Sequence, residues 1–207
     1  MTGTFITLEG GEGVGKSTQA KALAAALRQR GLDVVETHEP GGSPGADKIR
    51  TLLLEGEVDR WTAETEALLF AAARSDHVAR KIRPALDHGK WVVSDRFIDS
   101  SLAYQGGAGG LSMGSIMKLH EIGSGSLLPD RTILLEMPMD EAHFRTFARD
   151  DGSLDRFGRK SGSYHDDVVE AFRTLAEHNR ERYRIVNAEG SAEEVTQRLL
   201  AALEDLL

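Results

Sequence analysis

The sequence predicts an α/β fold, a parallel sheet flanked by helices with a small mobile lid, on three observations. Short apolar runs alternate with helical stretches along the chain, a glycine-rich loop stands at the first strand-to-helix junction, and residues 150–162 (DDGSLDRFGRKSG) carry no apolar period. Strands that alternate with helices are joined by crossovers, and the crossover helices cover both faces of a parallel sheet. Ligands then bind beyond the carboxyl ends of the strands.

The elements follow in order. Phe5 to Leu8 is the first apolar run, and after the glycine loop an Ala/Leu-rich helix runs over about 17–30 until Gly31 stops it. Val34 to Thr37 completes a β-loop-α-β unit. Further strands are predicted at 91–93 after the Gly89 break, at 132–137 after Pro129, and at 184–186. Helices are predicted over 45–55, 63–82, 112–122, 139–149 and 164–183, the fourth ending against Asp150-Asp151-Gly152-Ser153. Ser191 and Glu194 form a capping-box signature that opens a C-terminal helix. The polar 150–162 segment, rich in glycine and arginine, reads as the mobile loop.

A chain of 207 residues, 40% hydrophobic, can bury one core, so a single domain over 1–207 with a small insertion is expected. It has no cysteine and no apolar run near the roughly 20 residues of a membrane span, which excludes disulfides and argues against a membrane partner. No basic or apolar signal segment precedes the glycine loop, so a cytoplasmic location is expected. The net charge of −8 argues against a nucleic-acid partner, which would demand a broad basic face. A few arginines converging in one cleft can still hold a small anion.

Gly10-Gly11-Glu12-Gly13-Val14-Gly15-Lys16-Ser17 fits G-x-x-x-x-G-K-[ST] in the strand-loop-helix context that gives this pattern its meaning. Glycines let backbone N–H groups turn inward around phosphate oxygens, and the helix start near Ser17-Thr18 adds its positive end. Lys16 is placed to reach the β and γ phosphates of a nucleotide, and the Ser17 hydroxyl to ligate Mg²⁺. A plain connecting turn needs neither residue. The chain lacks the N-K-x-D guanine reader of a switch GTPase, and its candidate acidic strand ends in Ser94-Asp95-Arg96 rather than the paired acids of a motor ATPase.

Further candidate ligand-binding residues stand along the chain. Phe70 and Arg74 are four residues apart and share a helix face, an aromatic plate beside a guanidinium, although Phe70 taken alone fits a core position equally well. Asp95 and Arg96 end an apolar strand and leave the sheet beside the phosphate loop. Ser101, Tyr104 and Gln105 follow with groups suited to a base edge and a sugar.

Along essentially its whole length the chain resembles bacterial thymidylate kinase. The resemblance is carried by E-G-x-E-G-x-G-K-S (Glu9 to Ser17), E-P-G-G (Glu39 to Gly42), L-L-F-A-A-x-R (Leu68 to Arg74), D-R-F-I-D-S-S-L-A-Y-Q-G (Asp95 to Gly106) and L-D-R-F (Leu154 to Phe157). It implies a P-loop kinase fold and transfer of the ATP γ-phosphoryl to dTMP in a homodimer. It also implies roles: Phe70 stacks on thymine, Arg74 and Arg96 hold the acceptor phosphate, Ser101 and Gln105 meet the base, and Glu12 faces the sugar and metal. Glu39 and Tyr104 complete the acceptor site. Arg50 resembles another phosphate arginine, while on an amphipathic helix it reads equally as a solvated residue. Asp95 would orient metal waters or arginines rather than act as a strong base, because the dTMP phosphate is already anionic. With no arginine in the phosphate loop, Arg149, Arg156 and Arg159 make the chain resemble members that supply arginine from the lid, with Arg156 the best placed and Arg159 equally readable as surface.

Three positions depart from the pattern: His38 stands where arginine is usual, Gly158 where glutamate often follows D-R-F, and Glu136 where aspartate is commoner. Two other readings stay open at this stage, a P-loop kinase for another nucleotide or nucleoside, and a noncatalytic ATP-binding regulatory protein.

Overall fold

Five strands form one parallel sheet in the order β2-β3-β1-β4-β5, namely β1 (Phe5–Glu9), β2 (Val34–His38), β3 (Trp91–Asp95), β4 (Arg131–Glu136) and β5 (Tyr183–Asn187). The computed structural model describes residues 3–149 and 155–207. Every residue of β1 and β3 is buried, as expected of central strands covered on both faces. Leu8 lies opposite Asp95 and Glu9 opposite Leu134, so the carboxyl ends of β1, β3 and β4 open side by side. The chain places β2 and β3 to one side of β1 and β4 and β5 to the other, which makes this edge a topological switch point.

Alternation sorts the core. Ile6, Leu8 and Val93 face α1 (Lys16–Gln29) and α9 (Ala192–Ala201), packing on Leu23, Leu27 and Leu199. Their neighbours Phe5 and Val92 face the other way, onto Ile82, Phe97, Ile98 and Ile116. Each such fully buried side chain contributes about 1.5–3 kcal/mol. That packing holds the strand ends rigid beneath the site.

The helices α2 (Pro44–Leu54), α3 (Ala63–His77), α6 (Met113–Ser124) and α7 (Met139–Arg149) fall where the periodicity puts them. The stretch predicted as one helix over 63–82 is instead helical to His77, widens into a π turn over Val78–Ile82 and continues as α4 (Arg83–Asp87). Pro84 lacks the N–H that a regular ladder needs, and the wide turn accommodates it. The predicted 164–183 helix is α8 (Gly162–His178), and it stops early because the Asn179 side chain donates to the Leu175 carbonyl at 2.8 Å. Tyr183 then enters β5 and the core. A short α5 (Ile98–Ser101) and a π-helical stretch over Leu102–Ala108 have no clear periodic signal. The Ser191/Glu194 capping box forms, with N–H bonds of 3.2 and 2.7 Å.

Of the segment predicted as a lid, residues 150–154 lie outside the described residues, as does the side chain of Arg149. The remainder, 155–161, is a turn into α8 in which Arg156 and Phe157 are buried. Among the described residues no helix is long and apolar enough to cross a membrane.

Candidate active site

The phosphate loop turns back on itself between β1 and α1 through left-handed glycines, Gly10 at φ 138°, Gly13 at 79° and Gly15 at 90°. A Cβ on Gly10 would stand 2.5 Å from the Leu135 carbonyl oxygen, so the strand end and the loop fit only with glycine there. Lys16 is buried, and its ammonium donates across the loop to the Gly11 carbonyl at 2.5 Å. Burial first, and the nearby Arg96 guanidinium second, lower Lys16 to about 8, against the partial opposition of Glu12 and Asp95. The loop is therefore a cationic cradle held in tension with its own desolvation.

Two neighbours complete it. The Ser17 hydroxyl donates to Asp95 Oδ2 in a short contact, while the buried Asp95 Oδ1 has no hydrogen-bond partner among the described residues. An orphaned carboxylate oxygen next to a hydroxyl at a phosphate loop is a hard-oxygen set that fits Mg²⁺. Arg96 follows with φ 71°, unusual for a residue with a side chain, a strain that persists only where the surroundings impose it. They do so here: the Arg96 N–H donates to Leu8 O at 3.0 Å and Phe97 N–H donates to the fully buried Glu9 carboxyl at 2.8 Å. Burial, then the adjacent Asp99, raise Glu9 to about 8. The Arg96 guanidinium donates to Glu12 at 2.6 Å, Ser100 Oγ at 3.1 Å and the Tyr104 hydroxyl at 3.1 Å, and lies over the Tyr104 ring. Burial alone would raise the Glu12 carboxyl, but Arg96 and Lys16 outweigh it and hold it near 2.

A second cluster comes from α3. Arg74 is 3% exposed and donates Nε to Glu39 at 2.8 Å and Nη2 to Ser101 Oγ at 2.7 Å. Glu39 also meets His77 Nδ1 at 2.9 Å, and His77 Nε2 meets Thr37 Oγ1 at 2.6 Å. Burial opposes ionisation of Glu39, yet Arg74 and His77 prevail and keep it below the ordinary carboxylate value. Arg50 Nη1 donates to the Pro40 carbonyl at 2.6 Å from α2.

These clusters share one cavity of about 420 Å³, lined by Glu12, Gly13, Gly15, Lys16, Ser17 and Thr18 on one side and by Glu39, Arg50, Phe70, Arg74, Asp95, Arg96, Ser101, Tyr104 and Gln105 on the other. His38 lines it too, its imidazole lowered by burial and by Arg50. Gly11 and Val14 face a neighbouring apolar cleft instead. A further cleft of about 210 Å³ shares Gly13, Gly15 and Thr18 and runs past Gln19 and Arg145 to Ala188. Arg145 had no motif to mark it.

Arg156 is not among the phosphate groups in this conformation. Its backbone N–H donates to Leu54 O at 3.0 Å, Nε to Leu53 O at 2.9 Å, Nη1 to Val58 O at 3.0 Å, and Nη2 to Glu66 in a short ion pair. It is fully buried, because the carbonyls of Leu53, Leu54 and Val58 and one carboxylate satisfy its donors. Arg159 is exposed and donates to the Gly56 carbonyl. Phe157, in contrast, lines the cavity, its ring 5.6 Å from Phe70 and 6.2 Å from Tyr104.

Glu66 and His77 lie outside every motif, and Glu9 and Ser100 lie inside motifs that gave them no role. Glu66, Phe70, Arg74 and His77 share one face of α3 by their spacing of three and four, which is the signal that could have found two of them.

A phosphate loop, a hydroxyl-carboxylate pair beside it, and buried arginines facing it across a cavity define a P-loop phosphotransferase with room for a second phosphorylated ligand. The comparisons agree. The chain belongs to the thymidylate kinase family, whose profile it matches over residues 8–199. It is 63% identical over 207 residues to a thymidylate kinase of Rhizorhabdus wittichii, covering all of both chains. It is 45% identical to one of Pseudomonas putida, covering 100% of this chain and 98% of that one. Its fold matches the crystal structure of thymidylate kinase from Ehrlichia chaffeensis with a TM-score of 0.78 and 28% identity, over 98% of this chain and 100% of that one.

Proposed function

We propose that this chain transfers the γ-phosphoryl group of ATP to dTMP, giving dTDP and ADP, in the cytoplasm. The observation that carries the reading is the convergence of Lys16, Arg74 and Arg96 on one cavity with the Ser17-Asp95 pair. The loop backbone and Lys16 bind the ATP phosphates, and the cleft toward Arg145 and Ala188 receives the rest of the nucleotide, the guanidinium offering a flat face to the base. Ser17 and Asp95 would hold Mg²⁺, which when bound neutralises charge on the β and γ phosphates.

Phe70 and Phe157 enclose the acceptor base, Arg74 is held ready by Glu39 and Ser101, and Arg50 lies at the phosphate end. An incoming phosphate competes with Glu12 for Arg96. Glu12, held near 2, stays an anion at neutral pH and serves as a placeholder rather than a base. No strong base is required, since the acceptor phosphate is already a nucleophile. Catalysis is positioning and electrostatics, with water excluded by a lid over 150–162 that carries Arg159 and follows directly on Arg149. The chain acts as one kinase domain, and the exposed Leu52, Leu68 and Ile122 on α2, α3 and α6 suit a homodimer face.

Chromatographic detection of diphosphate products with dTMP, dUMP, dCMP, GMP and thymidine tests the assignment. dTMP should be the best acceptor by kcat/KM; a better acceptor among the others would displace it.

A further inference from the structure

Gln105 faces the acceptor cavity from the π-helical stretch after α5, and behind it sits a carboxylate with no place in the transfer chemistry. Glu66 is 5% exposed. Its Oε2 is taken by the Arg156 guanidinium, with Lys160 Nζ at 4.0 Å, and its Oε1 accepts from Gln105 Nε2 at 2.9 Å.

The carboxylate can only accept, so it decides which way the Gln105 amide points. The reverse orientation would set the amide oxygen against Glu66 Oε1, an acceptor facing an acceptor in a buried place. The amide thus keeps its NH₂ toward Glu66 and offers its carbonyl oxygen, together with the second N–H, to a ligand. That pair matches the edge of thymine or uracil, a ring N–H beside a carbonyl. Cytosine presents the opposite pattern, an acceptor nitrogen beside an amino group.

We propose that Glu66 is a positioning residue for base specificity: by fixing the Gln105 amide it commits the acceptor site to thymine- and uracil-type edges and turns away cytosine. The inference rests on the reading that a nucleoside monophosphate is the acceptor and that Gln105 meets its base. Arg156 is the second half of the device. It pins Glu66 from the 155–160 turn, so that turn and the base reader lean on the same side chain. Specificity here comes as much from the disfavoured alternative as from the favoured contact.

Glu66→Gln makes the test sharp. Arg156 still requires an acceptor, so the introduced amide must give it the carbonyl oxygen and turn its own NH₂ toward Gln105, which reverses the Gln105 amide. The ratio of kcat/KM for dTMP over dCMP, followed as ADP release, should fall at least about tenfold in the variant, while KM for ATP stays within about twofold. A purely structural role would lower both acceptors together and leave the ratio alone. An unchanged ratio in a variant that still melts cooperatively overturns the proposal.

The wild-type chain supplies a second test that needs no variant. The N3-methyl analogue of dUMP keeps both carbonyls but cannot donate to the Gln105 carbonyl oxygen, and it should bind at least about tenfold more weakly than dUMP in calorimetry. Equal binding of the two overturns the proposal. Failure of the underlying reading looks different: no deoxynucleoside monophosphate would stimulate ADP release by the wild-type chain at all.

Discussion

Replacing Glu39 by glutamine keeps the shape of the side chain and removes its charge where two partners depend on it. Glu39 is 6% exposed and accepts from Arg74 Nε at 2.8 Å and His77 Nδ1 at 2.9 Å. Hydrogen bonds to charged groups contribute about 1.5–3 kcal/mol each, and a glutamine can accept through only one of its two terminal atoms. Glu39→Gln should therefore cost about 2–4 kcal/mol. With a urea slope of about 2 kcal/mol/M for a chain of this size, the unfolding midpoint at pH 7 should fall by about 1–2 M. The acid limb gives an independent check. Glu39 is held below its ordinary value, so as pH falls the unfolded chain takes up this proton first. Its contribution is complete above the unfolded value of about 4.3 and drains away as pH drops through the folded one. Stability of the variant should consequently fall less steeply between about pH 5 and 3 than that of the wild type. A midpoint shift below about 0.3 M, or an unchanged acid limb, would refute the claim that this carboxylate anchors Arg74 and His77.

Two further outcomes follow from buried charge. Lys16, lowered to about 8 in the free chain, should regain its proton when phosphates enter the loop, so ATP binding at pH 8–8.5 should take up a fraction of a proton. Calorimetry in buffers of different ionisation enthalpy reads this directly, and heats independent of buffer would contradict it. Asp99 is fully buried and bound in two places by Arg182, at 2.6 and 2.8 Å, which ties α5 to the start of β5. Asp99→Asn leaves that guanidinium short of its counter-charge and should cost about 3–5 kcal/mol, lowering the melting temperature by about 10 °C; a drop under about 2 °C would show the pair to be dispensable.

The sheet and the phosphate loop were legible in the sequence because both rest on local rules. Apolar runs between glycine or proline breaks mark strands, and the positions of Lys16 and Ser17 after the glycines have a single physical purpose. Phe70 and Arg74 were legible by helical spacing. What stayed hidden depends on contacts between distant segments. Arg156 is a lid arginine by the L-D-R-F resemblance, yet in this conformation the carbonyls of Leu53 and Val58 and the Glu66 carboxylate, about a hundred residues earlier, hold it in the interior. Glu66 and His77 look like ordinary polar members of an exposed helix until Gln105 and Glu39 arrive from other elements. The turn after β3 was readable only as a strand end. Its left-handed Arg96 carries no residue-level sign, since that conformation is imposed by Leu8 and Glu9 on a neighbouring strand.

In the proposed reaction Arg96, facing the phosphate loop, clamps a nucleotide acceptor for transfer from ATP. Steady-state ADP release from Mg-ATP, measured with and without dTMP in the wild type and in Arg96→Ala, tests it most directly. Release should depend strongly on dTMP and fall at least about 100-fold in the variant, a loss of roughly 2.7 kcal/mol of transition-state stabilisation. Release indifferent to dTMP, or an Arg96→Ala variant as fast as the wild type, would contradict it.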